Sequence, residues 1–176
     1  MEDITTGAVH IAWSLTSATL ASWYFLLAPD GKHALFFNTP FRDYPYRPDM
    51  RLIDIATGDV APLPAIAQAL GQGPGIDSIV WRAGTMTLAA SNGELQTWVI
   101  DVQHDEARLQ PYRGVVEGWA PASDTLVLVS EPYQWAYEGT YMLTTVAGAS
   151  TGSGTPTPLA TGVQQLWFAG FARTAG

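Results

Sequence analysis

The chain has 176 residues, a length that suits one domain, and 47% of them are hydrophobic, enough to build a core. Only 14% are charged, against a usual share of about 25%, and the net charge is −8 with one lysine, Lys32, and seven arginines, which excludes the basic face that nucleic-acid binding needs. The absence of cysteine excludes disulfides, thiolate metal sites and cysteine nucleophiles.

Residues 7–28 carry no formal charge and are long enough to cross a bilayer. Within them Val9, Ile11, Trp13 and Leu15 alternate with His10, Ala12, Ser14 and Thr16, a period of two that marks a strand. Strands over Val9–Leu15 and Thr19–Phe25 are expected, with a membrane anchor through residues 7–28 as the lesser alternative. Glu2 and Asp3 stand where a cleaved signal peptide would carry basic residues. Next comes "LAPDGKHALFF": an apolar strand ending at Leu27, a Pro29-Asp30-Gly31 turn, and a second apolar run. Asp bonds its own backbone and Gly accepts positive φ, so this cluster is a structural turn, with Lys32 and His33 opening the next strand. Met50–Ile55 and Val60–Leu63 form a further strand pair around Ala56–Asp59, and Pro64–Leu70 is the one expected helix, closed by Gly71.

The pattern then recurs. Trp81 ends a strand, "RAG" turns, and Met86–Ala89 runs on; a strand pair follows around Gln103–Asp105. Trp119 ends a strand, "APASD" turns, and Thr125–Val129 runs on; a pair follows around a Gly/Ser/Thr-rich turn. A last start lies at Val163–Phe168, around Trp167. The units fall at residues 23–70, 76–112 and 114–162, with a partial one from 163–176 together with 8–22. Four short strands over about 40 residues is the make-up of a propeller blade. The expected fold is therefore all-β: a β-propeller-like array of about three four-stranded antiparallel blades plus part of a fourth. Leu27, Trp81, Trp119 and Trp167 should end first strands and lie buried between blades.

Pro29-Asp30-Gly31 at the first turn and Asp54-Ile55-Ala56-Thr57-Gly58 at the second resemble the repeats of the TolB-like, WD40-like β-propeller superfamily. The likeness covers most of the chain and weakens along it, because the second unit lacks Pro-Asp-Gly and the third has Pro121-Ala122-Ser123. It implies a non-enzymatic scaffold that binds protein or peptide, in a bacterial extracytoplasmic or membrane-associated setting. It also leaves open the propeller portion of a prolyl-oligopeptidase-like hydrolase, a membrane-anchored accessory subunit, or a carbohydrate-binding propeller. A turn motif specifies fold, and function has to come from a site.

Gly148-Ala149-Ser150-Thr151-Gly152 matches G-x-S-x-G, but the Ser/Gly/Thr/Pro tract behind it cannot supply the helix of a nucleophile elbow. His10, His33 and His104 share no zinc spacing. Asp101, His104, Asp105 and Glu106 cluster at one turn, where solvation is the simpler explanation than a cation. Gly71–Gly75 follows its helix, the wrong order for a phosphate cradle. Glu117, Glu131 and Glu138 have no spacing that selects a glycosidic pair. No catalytic residue, cofactor or metal site is expected. The candidate surface is aromatic: residues 39–49 and 131–141 are the same loop of the first and third units, and place Phe41, Arg42, Tyr44, Tyr46 and Arg47 on one face with Tyr133, Trp135, Tyr137 and Tyr141. Tyr, Trp and Arg dominate interface hot spots. The expected occupant is a protein partner, and a partner or a second copy is expected to complete the ring.

Overall fold

The computed structural model of the chain describes residues 21–40, 49–71, 76–120, 123–130 and 141–163. They form three four-stranded antiparallel sheets, each with its strands in chain order. The first holds β1 (Ala21–Leu27), β2 (His33–Pro40), β3 (Asp49–Asp54) and β4 (Val60–Pro62). The second holds β5 (Ile76–Trp81), β6 (Thr87–Asn92), β7 (Gln96–Asp101) and β8 (Glu106–Arg113). The third holds β9 (Val115–Trp119), β10 (Thr125–Ser130), β11 (Tyr141–Ala147) and β12 (Pro156–Val163). Helix α1 (Pro64–Leu70) links the first two. Among the described residues no helix is long and apolar enough to cross a membrane.

The repeat is written in the backbone. Ala28, Arg82 and Ala120 donate their N–H groups to the carbonyls of His33, Thr87 and Thr125, and accept in turn from Gly31, Thr85 and Ser123. The N–H groups of Ile55, Val102 and Ala149 donate to the carbonyls of Lys32, Met86 and Asp124, which ties the two turns of each sheet together. Leu27, Trp81 and Trp119 each directly precede an equivalent turn residue, so these three anchors are in register. Trp167 lies outside the described residues.

Alternation in the middle sheet builds two cores. Leu88, Ala90, Trp98 and Ile100 pack with Leu35, Phe37 and Met50 of the first sheet and with Ile66 and Leu70 of α1. Ala89 and Val99, pointing the other way, pack with Val116, Trp119, Leu126 and Leu128 of the third. A sheet covered on both faces cannot show the apolar/polar alternation of a half-exposed one, which explains the continuous burial of β6 and β7. Between the second and third sheets, Ser78 Oγ donates to the Val116 carbonyl at 2.5 Å, and the Val116 N–H donates to Ser91 Oγ at 3.1 Å. Two hydroxyls thus satisfy backbone groups on the outer edge of β9 that no strand pairs.

Three expectations need correction. Thr19–Phe25 was expected as a strand of the partial unit; residues 21–27 instead form the first strand of the first sheet, paired from Ala21↔Pro40 to Leu27↔Ala34. Residues 21–27 are therefore strand and not part of a helix, and Val9–Leu15 lies outside the described residues. Val163 does not open a new strand; it ends β12, opposite Tyr141. Leu27 was expected to be buried like the tryptophans. Trp119 is 6% exposed and Trp81 packs against the first core, but Leu27 is 61% exposed. Trp81 and Trp119 lie on the face that meets the preceding sheet, and among the described residues no sheet precedes the first.

Candidate functional site

The loop residues singled out by sequence, Phe41, Arg42, Tyr44, Tyr46, Arg47, Tyr133, Trp135 and Tyr137, lie outside the described residues. Tyr141 opens β11. The strand order does fix which connections they belong to: residues 41–48 join β2 to β3, residues 131–140 join β10 to β11, and the second sheet closes the same connection with the short turn 93–95. Leu95 takes φ 61 there, and the Asn92 side chain holds the turn by accepting from the Glu94 and Gln96 N–H groups.

The opposite end, where the first and third turns of each sheet lie, carries most of the described polar chemistry. Asp30 Oδ1 accepts from the Lys32 and His33 N–H groups while Oδ2 meets His33 Nδ1 at 2.6 Å; these bonds, the His33 one first, hold its pKa down at about 2. Gly31 supplies φ 68. Asp54 repeats the device with the Ala56 and Thr57 N–H groups, the Thr57 bond leading the fall in its pKa. Asp101 repeats it again with Gln103 and His104, and its bond to the His104 ring raises the imidazole pKa.

The charged turn of the second sheet therefore divides its labour. Asp101 closes its own turn. Asp105 reaches across to α1, accepting the Ala65 and Ile66 N–H groups at 2.9 and 3.1 Å. Glu106 pairs with Asp101 in the β7–β8 ladder, and its charge adds to the rise of the His104 pKa; among the described residues no group of three or more His, Asp or Glu side chains is placed to hold a metal ion. Of the six carboxylate oxygens of Asp101, Asp105 and Glu106, three accept backbone amides and a fourth meets the His104 ring.

Ser150 of the G-x-S-x-G match sits on a short 3-10 turn between two strands, flanked by Gly148 and Gly152 at φ 70 and 73. Its Oγ donates to Asp124 Oδ2 at 2.6 Å, its N–H donates to the same carboxylate, and Arg82 pairs with Asp124 at 3.3 Å while lying over the Trp119 ring. The hydroxyl closes a turn, and among the described residues no imidazole bonds to it. Below it, Tyr112 is buried, and desolvation followed by the Asp124 charge pushes its pKa up to about 12. Glu117 on β9 is half-buried, which raises its pKa.

A cleft of about 450 Å³ opens between these parts, lined by Thr87, Asp101, Asp105, Glu106, Arg108 and Ser150 among others. Arg108 Nη1 donates to the Ser150 carbonyl across it at 3.3 Å. The sequence showed the charged turn but gave no signal that the Gly148–Gly152 turn would face it, since that depends on how two sheets stack.

No family model matches the chain, and no curated protein matches it in sequence. Solved structures do match in shape. An oligogalacturonate lyase in complex with manganese superposes with a TM-score of 0.63 at 12% identity, over 91% of this chain and 46% of the lyase. TolB from Acinetobacter baumannii superposes at 0.53 and 16% identity, over 90% of this chain and 36% of TolB. The WD40 repeats of RRP9 superpose at 0.46 and 11% identity, over 78% of this chain and 37% of theirs. The chain thus spans less than half of each, and shares with the lyase and TolB structures an all-β, propeller-like arrangement of four-stranded sheets. That fold serves a lyase as well as TolB.

Proposed function

We propose that the chain is a non-enzymatic scaffold module of TolB-like propeller type that binds a protein partner through the loops 41–48 and 131–140. The observation that carries this is the equivalence of the two loops. The sheets repeat one strand order and one set of turn bonds, so the two long aromatic connections are the same connection of two sheets. The second sheet needs only residues 93–95 for that link, so the length of the other two is not a demand of the fold. Phe41, Arg42, Tyr44, Tyr46, Arg47, Tyr133, Trp135, Tyr137 and Tyr141 supply the ring and guanidinium chemistry typical of interface hot spots. Phe25 and Leu27, 55% and 61% exposed on the first sheet, add an apolar strip suited to a further sheet, from a partner or a second copy.

The test is partner capture by crosslinking with the intact chain and with Trp135→Ala and Tyr46→Ala, alongside thermal unfolding. Loss of capture with unchanged melting supports the proposal. Retained capture, or unfolding of both variants, refutes it. A native mass measurement reports the copy number. Release of unsaturated product from oligogalacturonate with manganese present would make the chain an enzyme and overturn the non-enzymatic part.

A further inference from the structure

We infer that the outer face of the first sheet is a docking surface for the chain's own N-terminal segment, residues 9–20, which folds back over β2 and β3 and leaves β1 open beside it. The inference is independent of the loop-binding reading above.

The starting observation is a sealed face on which no described element lies. Leu26, Leu35, Phe37, Met50 and Leu52 point into the core shared with the second sheet and α1. By the alternation of a strand, Phe25, Leu27, Ala34, Phe36 and Ile53 point the other way. The register makes them neighbours: Phe25 stands opposite Phe36, Leu27 opposite Ala34, and Ala34 opposite Ile53. Ala34, Phe36 and Ile53 belong to neither core, yet they are 0, 7 and 2% exposed. Phe25 and Leu27, one strand over on the same face, are 55 and 61% exposed. Burial this uneven takes a second layer that lies over β2 and β3 and stops short of β1.

Reach identifies the layer. The burial arises within the single chain, so its own residues supply the cover. Residues 41–48 leave the sheet at Pro40 and return at Asp49. Ala34 is six positions from Pro40, about 20 Å along the strand, and an eight-residue loop folded back on itself reaches about 13 Å. Residues 164–176 follow β12 of the third sheet, with the second sheet between. The other connections outside the described residues belong to the second and third sheets or lead into them. The N-terminal segment enters the first sheet itself, at Ala21 beside Pro40. Val9–Leu15 spans about 23 Å as a strand, the same seven residues as β1; residues 16–20 then supply about 16 Å to cross the ~10 Å between packed layers.

Chemistry agrees with reach. Val9, Ile11, Trp13 and Leu15 alternate with His10, Ala12, Ser14 and Thr16, which gives the segment one apolar side for an apolar face. Residues 7–28 carry no formal charge, so docking desolvates no ion. A segment held in this way is not free to anchor the chain in a bilayer, and the strip of Phe25 and Leu27 stays open along its edge for a partner.

The chain has no cysteine, so one introduced thiol reports on the face. Labelling of the full chain by a charged thiol reagent is followed for Ala34→Cys and, as an open control on the same face, Leu27→Cys. Each is repeated with Trp13→Asp, with Ser14→Asp on the other side of the segment, and with Trp167→Asp; urea unfolding checks each fold. Ala34→Cys should react at least about a hundredfold more slowly than Leu27→Cys. Trp13→Asp should speed it at least about tenfold, while Ser14→Asp and Trp167→Asp stay within about twofold. Fast labelling of Ala34→Cys without any second change, equal effects of Trp13→Asp and Ser14→Asp, or a response to Trp167→Asp in place of Trp13→Asp would each overturn the inference. So would acceleration on adding phosphatidylcholine vesicles, the mark of a segment that leaves the sheet for a bilayer. If Trp13→Asp unfolds the chain, NMR contacts between the Trp13 ring and the Ile53 methyls in the unsubstituted chain decide: their presence supports docking and their absence refutes it. Any of these failures leaves partner capture through Trp135 and Tyr46 to stand or fall on its own test.

Discussion

Asp105 is the residue whose replacement tests the packing of α1 most sharply. The helix has seven residues, too few to be stable alone. Its N-cap residue, Leu63, has no side chain able to cap. The cap comes instead from Asp105, which takes the Ala65 and Ile66 N–H groups and sits at φ 51, a left-handed conformation that Asp tolerates and Ala does not. Removing an N-cap acceptor costs about 1–2 kcal/mol, and an alanine forced into left-handed geometry costs about 1 kcal/mol more. Asp105→Ala should therefore lose about 2–3 kcal/mol in urea unfolding, a fall in melting temperature of roughly 4–12 °C for a chain of this size. Asp105→Gly loses the cap but relieves the backbone, so its loss should be about 1 kcal/mol smaller. Asp105→Asn keeps one acceptor and should lose least. Amide exchange at Ile66 should speed up in the order Asn, Gly, Ala. A Gly variant less stable than the Ala variant, or an Ala variant within about 0.5 kcal/mol of the parent, would refute the argument.

Ser91→Ala should cost about 1–3 kcal/mol by leaving the buried Val116 N–H without an acceptor, and Ser78→Ala should cost less, since a carbonyl tolerates under-satisfaction better; urea midpoints decide the order. Gly154→Ala should disrupt the β11–β12 pair, because a Cβ there would collide with the Ala147 carbonyl oxygen and a Val146 methyl; amide exchange in β12 should rise while that in β6 stays fixed. The His104 ring should titrate above the ordinary histidine value in an NMR titration, and Asp101→Asn should lower the midpoint. By linkage, what a raised histidine contributes is fully present below its unfolded pKa of about 6.5 and is lost as pH rises through the folded value. Asp30 has the opposite sign: its turn contributes fully above the unfolded carboxylate pKa of about 4 and fades as pH falls toward about 2.

How far the sequence showed the fold depended on how local each signal was. Asp30 with Gly31, and Asp54 with Gly58, were legible because an Asx turn and a positive φ are set within a few residues. The second unit lost Pro-Asp-Gly yet keeps the same turn, with Gly84 at φ 71 and the Thr85 N–H donating to Arg82, so the anchor at Trp81 was still readable. Strand ownership was harder. Residues 21–27 read as a strand with either boundary, and only pairing with β2 assigns them to the first sheet. The exposure of Leu27 was not legible at all, since Leu27 and Trp119 occupy the same place and differ only in whether a sheet lies against them.

The chemistry of the cleft was hidden for a related reason. Asp101, His104, Asp105 and Glu106 read as one solvated cluster because their neighbours in the chain are turn residues. In the fold each answers to a different neighbour: Asp101 to its own turn, Asp105 to a helix start 40 residues away, Glu106 to the His104 ring. Nothing in the sequence around Gln110 signals its burial, which comes with a glycine turn of the next sheet lying against it. In a repeat array, each unit's sequence specifies its own turns and inward-facing strands, while stacking decides which polar groups are left with nothing to bond. A polar group can therefore look ordinary in its own unit and be sealed in by the next, and Gln110 is such a residue: its Nε2 keeps the Arg108 carbonyl, while its Oε1 is left without a donor once the third sheet's turn lies over it.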